Sequence, residues 1–325
     1  MLYGELSVNM RFILYGLIFV TFFLCSYFLV SLYTLGDQVH YRRLYEVFSE
    51  TPLTDILKIG VVNVGSLEPL TMFLLWGGAQ LGVDKDIYIS LWNVILLVGL
   101  VVLSRKYKMS LFFILLLLTN FYVIVLMTSA ERLKFAMILI TYSFIYFESK
   151  KVSYGLMLFS PAAHFQSLIL IFGYFSKLIA NQFLRFIVSF KIKKTVLLFV
   201  ICFLVFSSFL FIFFSSALIS KFNSYFEFRS LSSLFNILLL SIVVLLIAKN
   251  KFSFFLMLSV MSFFVIVFGG ERVNMIAFFL SLFFLILERR ADHPFFMLLM
   301  LYFSIKSIPF VNNIVMYGNS FHVCC

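Results

Sequence analysis

Apolar runs close to the length of a bilayer crossing recur along almost the whole chain, and nothing constrains its fold more tightly. A helix needs about 20 largely apolar residues to cross a hydrocarbon core. Lipid leaves only closed barrels and helices, because backbone polar groups must be satisfied internally. With 63% hydrophobic and 12% charged residues among 325, the chain reads as an all-α polytopic membrane protein, a single integral-membrane domain over 1–325. About eleven spans (10–12) are expected, at 12–35, 87–104, 109–127, 133–147, 152–174, 178–190, 195–219, 234–248, 252–268, 273–287 and 294–308. The sixth is short and carries Asn181, Gln182 and Arg185. The opening segment holds Glu5 and lacks a basic start and a small-residue cleavage site, so the first run reads as a retained span.

Orientation comes from the short loops. The net charge of +11 is membrane topology rather than nucleic-acid binding, since positive charge collects in cytoplasmic loops. Lys and Arg totals on the two faces are nearly equal, but their clustering is not. Compact groups occur at Arg105, Lys106 and Lys108; Lys150 and Lys151; Lys191, Lys193 and Lys194; Lys249 and Lys251; and Arg289 and Arg290. Placing them inside puts the amino terminus inside. The outer face then carries the long loop 36–86. This parity requires the apolar stretch after Glu68-Pro69 to lie on or dip into the outer face without crossing. Within the loop, Asp37 is an N-cap candidate. His40, Tyr41, Leu44, Tyr45 and Phe48 recur at helical spacing, with Arg42, Arg43 and Glu46 on the polar side of an amphipathic surface helix.

Two corners stand out. Glu131-Arg132, followed by Lys134, opens one apolar run, and Glu271-Arg272 opens another. Charges at a membrane edge are candidates for function, and a helix start favours an anion. Each corner is otherwise a helix-start signal with an interfacial anchor; together they would suit a pyrophosphate. His164 follows Pro161 about halfway along its expected span. It is either a structural histidine bonded to a neighbouring helix or part of a half-broken helix lining a wet cavity. Asp37 is either a cap or a base, and Arg42 and Arg43 either meet lipid phosphates or bind substrate. Arg229 lies in the loop after the seventh span.

The four cysteines and four histidines show no metal-ligand spacing, and no glycine-rich phosphate loop occurs. No metal and no cofactor are expected. Arginines, acids and tyrosines at a membrane edge suit a sugar carried on a lipid phosphate, because guanidinium matches phosphate oxygens bidentately.

The layout Gly36-Asp37-x-x-x-Tyr41-x-x-x-Tyr45, then Glu68-Pro69, Glu131-Arg132, Lys150-Lys151 and Ala163-His164-Phe165 resembles the EpsG-like branch of bacterial Wzy-type polysaccharide polymerases. It covers the first half of the chain; beyond that the likeness is one of hydropathy. In the family pattern the position of Glu131 is often not acidic.

The resemblance implies a glycosyltransferase with a GT-C-like helical bundle in the bacterial inner membrane. It would polymerise undecaprenyl-pyrophosphate-linked oligosaccharide repeat units into O-antigen, capsule or exopolysaccharide at the periplasmic face. Its partners would be that lipid-linked oligosaccharide, membrane lipid, a chain-length regulator and a repeat-unit flippase, with no nucleic acid. Asp37, His164, Arg132 and Arg272 would be catalytic. His40, Tyr41, Arg42, Arg43, Tyr45, Glu68, Glu131, Lys134, Arg229 and Glu271 would bind substrate. Two other classes compete: a repeat-unit flippase, which predicts paired broken helices, and a membrane acyltransferase acting on surface glycans.

Overall fold

A computed structural model describes residues 8–189, 231–268 and 270–319. Arg229 and the expected span 195–219 lie outside them. The described residues are helical with no strand. Four helices are long and apolar enough to cross a membrane, or up to six if each of two bent pairs is one span. This is a helical membrane protein. The chain divides into two compact units, one of residues 1–167 and 300–325, the other of 168–299.

The first unit opens with α1 (Val8–Leu32), the short helices α2 (Asp37–Phe48), α3 (Ile56–Val64) and α4 (Pro69–Gln80), and the long α5 (Lys85–Lys106). It continues with α6 (Leu111–Leu118), α7 (Phe121–Thr128), α8 (Glu131–Ile145) and α9 (Lys150–Ala163). α8 packs against both α5 and α9, α1 lies on α5, and α2, α3 and α4 pack on one another. α1 is little buried, as suits a helix facing lipid.

Two breaks matter for the site. The run 109–127, expected as one span, is two helices bent by 46°. Asn120 caps the second, its Oδ1 accepting from the Tyr122 amide at 3.0 Å. A helix break at membrane depth leaves carbonyls short of partners. Here Ser304 Oγ donates to Leu116 O at 3.1 Å, and Thr119 Oγ1 donates to Leu115 O at 3.0 Å. Ser304 belongs to α14 (Pro294–Tyr317).

The second break falls at His164. The expected spans 152–174 and 178–190 meet in the wrong place: the helices are α9, ending at Ala163, and α10 (Ser167–Ser189). Pro161 sits in the last turn of α9 and cannot donate to Met157 O; Ser160 Oγ takes that carbonyl at 2.7 Å. His164 is extended, with φ −158° and ψ 121°, and Thr71 Oγ1 of α4 donates to the Ala163 carbonyl at 2.7 Å. His164 is therefore a helix-end residue rather than a mid-span one.

α3 and α4 meet at 103°, as a broken span or a re-entrant hairpin does. Gly60 lets them touch: a Cβ there would lie 2.4 Å from Met72 Sδ. α3 itself was not expected within the loop.

The second unit comprises α10, α11 (Leu231–Ile247), α12 (Lys251–Phe268), α13 (Gly270–Leu287) and the start of α14. α13 is its centre, buried from Val273 to Ile286. Lys177 of α10 bridges Glu288 at 3.1 Å and lies over the rings of Phe254 and Phe284, a charge held by both a carboxylate and aromatic faces.

Candidate active site

The site forms where α8 begins and α9 ends. Glu68 immediately precedes Pro69 at the start of α4, and its carboxylate is shared. Oε2 accepts from Arg132 Nη1 at 2.9 Å and from Ser66 Oγ at 2.5 Å. Oε1 lies 2.5 Å from His164 Nδ1. Arg132 Nε donates to the Tyr41 hydroxyl at 2.8 Å, anchoring the guanidinium to α2. The start of α8 and the end of α9 thus meet on one carboxylate, and α2 joins them through Arg132. Arg132 is its most open member, 17% exposed against 4% for Glu68 and 7% for His164.

Burial pushes the Glu68 carboxyl upward, but His164, Arg132 and Ser66 outweigh it and leave it at about 2. A carboxyl lowered on folding stabilises the fold above its unfolded pKa of 4.5, and that contribution is lost progressively as pH falls from there through about 2. Glu68 is therefore a fixed anion across the neutral range.

The other ring nitrogen of His164, Nε2, lies 3.1 Å from Gln166 Oε1. Nδ1 beside the carboxylate carries a proton. Nε2 carries one only while the Gln166 oxygen faces it; with the amide turned over, Gln166 donates and Nε2 is a free base. The side chain that holds Nε2 is thus able to serve either protonation state.

Directly beneath lies a second, fully enclosed polar cluster. Lys85 Nζ bonds Glu131 Oε1 at 2.7 Å and Gln38 Oε1 at 2.6 Å, and Gln38 Nε2 donates to Thr128 O. Lys134 Nζ and Asn93 Nδ2 both donate to Met127 O, at 3.2 Å and 2.9 Å. The unpaired carbonyls at the end of α7 are therefore capped by Gln38, Asn93 and Lys134, with one amine, Lys134, at the end where the helix dipole favours a cation. Glu131 is 0% exposed, and its Oε2 has no hydrogen-bond partner among the described residues.

The candidates therefore separate. Glu68, Arg132, His164 and Tyr41 come together. Glu131 and Lys134 sit behind them, enclosed and held by the helix junction. Arg42 bridges Asp86 at 2.8 Å and bonds Val30 O at 3.1 Å, tying α2 to α1 and α5. Tyr45 donates to Val83 O at 2.9 Å, and burial, with Tyr88 and Asp84, raises its phenol so that it stays a donor. Asp37 is the first helical residue of α2, exposed, with Gly36 at the cap position and no side-chain cap bond. It shares a stripe of α2 with Tyr41, one turn away. His40 and Arg43 are exposed on α2.

Glu271 and Arg272 do open a helix, α13, but Glu271 is exposed where Glu131 is enclosed. The two corners are unlike in their surroundings and belong to different units. Sequence reading missed Gln38, Lys85 and Gln166, polar residues whose partners lie on other elements or, for Gln166, across a helix break. Among the described residues, no group of three or more His, Cys, Asp or Glu could hold a metal ion. Comparison with protein-family models, curated proteins and solved structures gives no match.

Proposed function

We propose that this chain is a membrane glycosyltransferase that joins oligosaccharide repeat units carried on a polyprenyl pyrophosphate, a polysaccharide polymerase with a GT-C-like bundle. The observation that carries it is the Arg132–Glu68–His164 cluster, a half-open guanidinium and an imidazole bound to one fixed carboxylate. Its depth supports a lipid-borne substrate. α8 has 15 residues and so rises about 22 Å, short of the ~30 Å hydrocarbon core. With Lys150 and Lys151, at the far end of the α8–α9 pair, held at one membrane surface, the cluster would lie below the other, within reach of a pyrophosphate carried on a polyprenyl chain.

In this reading Arg132 binds the pyrophosphate of the donor. An acceptor hydroxyl on the incoming repeat attacks the anomeric carbon, its proton passes to His164 Nε2, and the carbon–oxygen bond to pyrophosphate breaks with its electron pair leaving on phosphate. Glu68 orients the imidazole. His164, inside the cluster, takes the base role that Asp37 shared with it in the sequence reading. In this reading the basic clusters stay in the cytoplasm, so the site faces the periplasm and the chain sits in the bacterial inner membrane.

One observation favours a second reading, a repeat-unit flippase: two helix pairs are bent, at 103° and 46°, and broken helices are a feature of transporters. Deleting the gene separates the two. Loss of a polymerase leaves single repeat units on the surface lipid, whereas loss of a flippase leaves none; full-length chains would point to an acyltransferase instead. Complementation with Arg132→Ala should restore no long chains while the protein accumulates, since removing a charged transition-state donor costs about a hundredfold or more in rate. Arg132→Lys should rescue poorly, because it loses the planar fork. Normal chain lengths from Arg132→Ala would remove this site from the mechanism.

A further inference from the structure

Glu68 is one carboxylate with two cationic claimants on its separate oxygens, Arg132 at 2.9 Å and His164 at 2.5 Å. The pairs are not equivalent. Arg132 is the open one, and guanidinium exchanges a carboxylate for a phosphate readily, since both present the same planar pair of acceptor oxygens. His164 and Glu68 are enclosed and stay together.

We propose that Glu68 is a positioning residue that couples the two: an anion drawn onto Arg132 releases the full charge of Glu68 to His164 and makes the imidazole a stronger base. The site thereby raises its proton acceptor only when a pyrophosphate is present. This rests on the reading of Arg132 as the pyrophosphate ligand. In the empty site Arg132 neutralises Glu68, leaving His164 with a divided partner. Once the guanidinium turns to an anion, its charge is compensated elsewhere, and the other donors to Glu68, the Ser66 hydroxyl and the Phe165 amide, are neutral. An opposite charge at contact favours the protonated imidazole by one unit or more.

On α8, Glu131 is committed to Lys85, and Lys134 points to Met127 O. α4 carries no charged residue. Tyr41 of α2 meets Arg132. On the far side of the ring stands Gln166, which is neutral.

The test is the titration of His164 itself, read by NMR of labelled histidine in purified full-length protein in nanodiscs, with His40, His293 and His322 replaced by Asn. Farnesyl pyrophosphate is the probe and farnesol its uncharged control. The midpoint should rise by about one pH unit with farnesyl pyrophosphate and stay put with farnesol. Arg132→Ala should raise it without any probe and abolish the response to the probe. In Glu68→Gln the midpoint should fall, and adding Arg132→Ala should then move it by less than half as much. Glu68→Asp, which keeps the charge but shortens the reach, should give intermediate coupling and serves if Gln fails to accumulate.

A midpoint unmoved by farnesyl pyrophosphate or by Arg132→Ala overturns the proposal. So does an Arg132→Ala shift of equal size with and without the Glu68 carboxylate, which would be direct repulsion of the imidazolium by Arg132. The titration needs no sugar transfer, so a chain that makes no polymer can pass it and a working polymerase can fail it alone.

Discussion

Two neighbouring residues, Glu131 and Arg132, show how far identity and environment diverge. Both open α8, yet one is enclosed and the other half-open. Glu131 is bound to Lys85 with both side chains almost wholly buried, 0% and 5% exposed. Removing one member of such a pair strands the other charge, which costs about 3–5 kcal/mol, while replacing both with well-packed apolar groups is often neutral. Glu131→Leu alone and Lys85→Met alone should therefore each lower the melting temperature of the purified protein sharply, and the double variant should recover most of the loss. Additive losses in the double variant would show that the pair contributes packing, not charge. The sequence made Glu131 a ligand candidate because it sits at a helix start. It did not show Lys85 beneath it, because Lys85 reads as an ordinary residue of a first turn until α5 and α8 are laid side by side. The same is true of Gln38, which the amphipathic pattern of α2 would put among polar surface residues but which is 0% exposed.

The elements were legible where periodicity and punctuation agree. Glu68-Pro69 announced the start of α4, Glu131 and Glu271 marked two helix starts, and α2 followed from its spacing. Two breaks were hidden by uniform hydropathy. Thr119-Asn120 is a capping signal inside an apolar run, and a reading by punctuation would have found it. The break at His164 was visible as Pro161 and a cluster of polar residues, but a window-based span swept across it. α3 was missed because it has only nine residues, with Lys58 and Asn63 among them, too few and too mixed to register as a span.

How α2 and α4 bring Tyr41 and Glu68 to α8 depends on a close approach at Gly78. A Cβ there would lie 2.6 Å from the Tyr45 hydroxyl and 2.8 Å from the Tyr88 ring. Tyr45 and Tyr88 are themselves tied to Val83 O and Leu74 O, at 2.9 and 2.7 Å, so neither moves without breaking a bond. Gly78→Ala should cost about 1–3 kcal/mol and weaken polymer formation by displacing the Tyr41 side of the site. Tyr88→Phe would not help, because that contact is with ring carbons, and Tyr88→Leu alone would leave the Tyr45 hydroxyl in the way; Tyr88→Leu with Tyr45→Phe should relieve both. A Gly78→Ala protein with wild-type melting and wild-type chain lengths would mean that α2 shifts freely and does not set the position of Arg132.

At the scale of the molecule, the proposed chemistry depends on which side of the membrane the α8 start faces. The ends of α8 and α9 differ sharply in chemistry. One carries Glu68, Arg132 and His164, and the other Lys150, Lys151 and the pair Lys106–Glu148 at 3.1 Å. Lysines exposed at a short loop are the kind of cluster retained in the cytoplasm. A polymerase acting on flipped lipid-linked sugars needs the opposite end outside. Single cysteines in an otherwise cysteine-free chain decide this. Ser49, exposed at the end of α2, should react with an impermeant thiol reagent once the outer envelope is permeabilised, and Ser149, exposed before α9, should react only after the inner membrane is opened. Ser66 would be a poor reporter, since it is 1% exposed and its hydroxyl is spent on Glu68. The reverse pattern would place Arg132 in the cytoplasm, among soluble nucleotide-activated sugars, and a periplasmic polymerase could not stand. The bend of α3 against α4 is what makes the assignment sensitive. As a hairpin that re-enters, it leaves every later helix in its expected sense; were it a crossing, Ser49 and Ser149 would label from the same side, and the experiment reads that outcome as well.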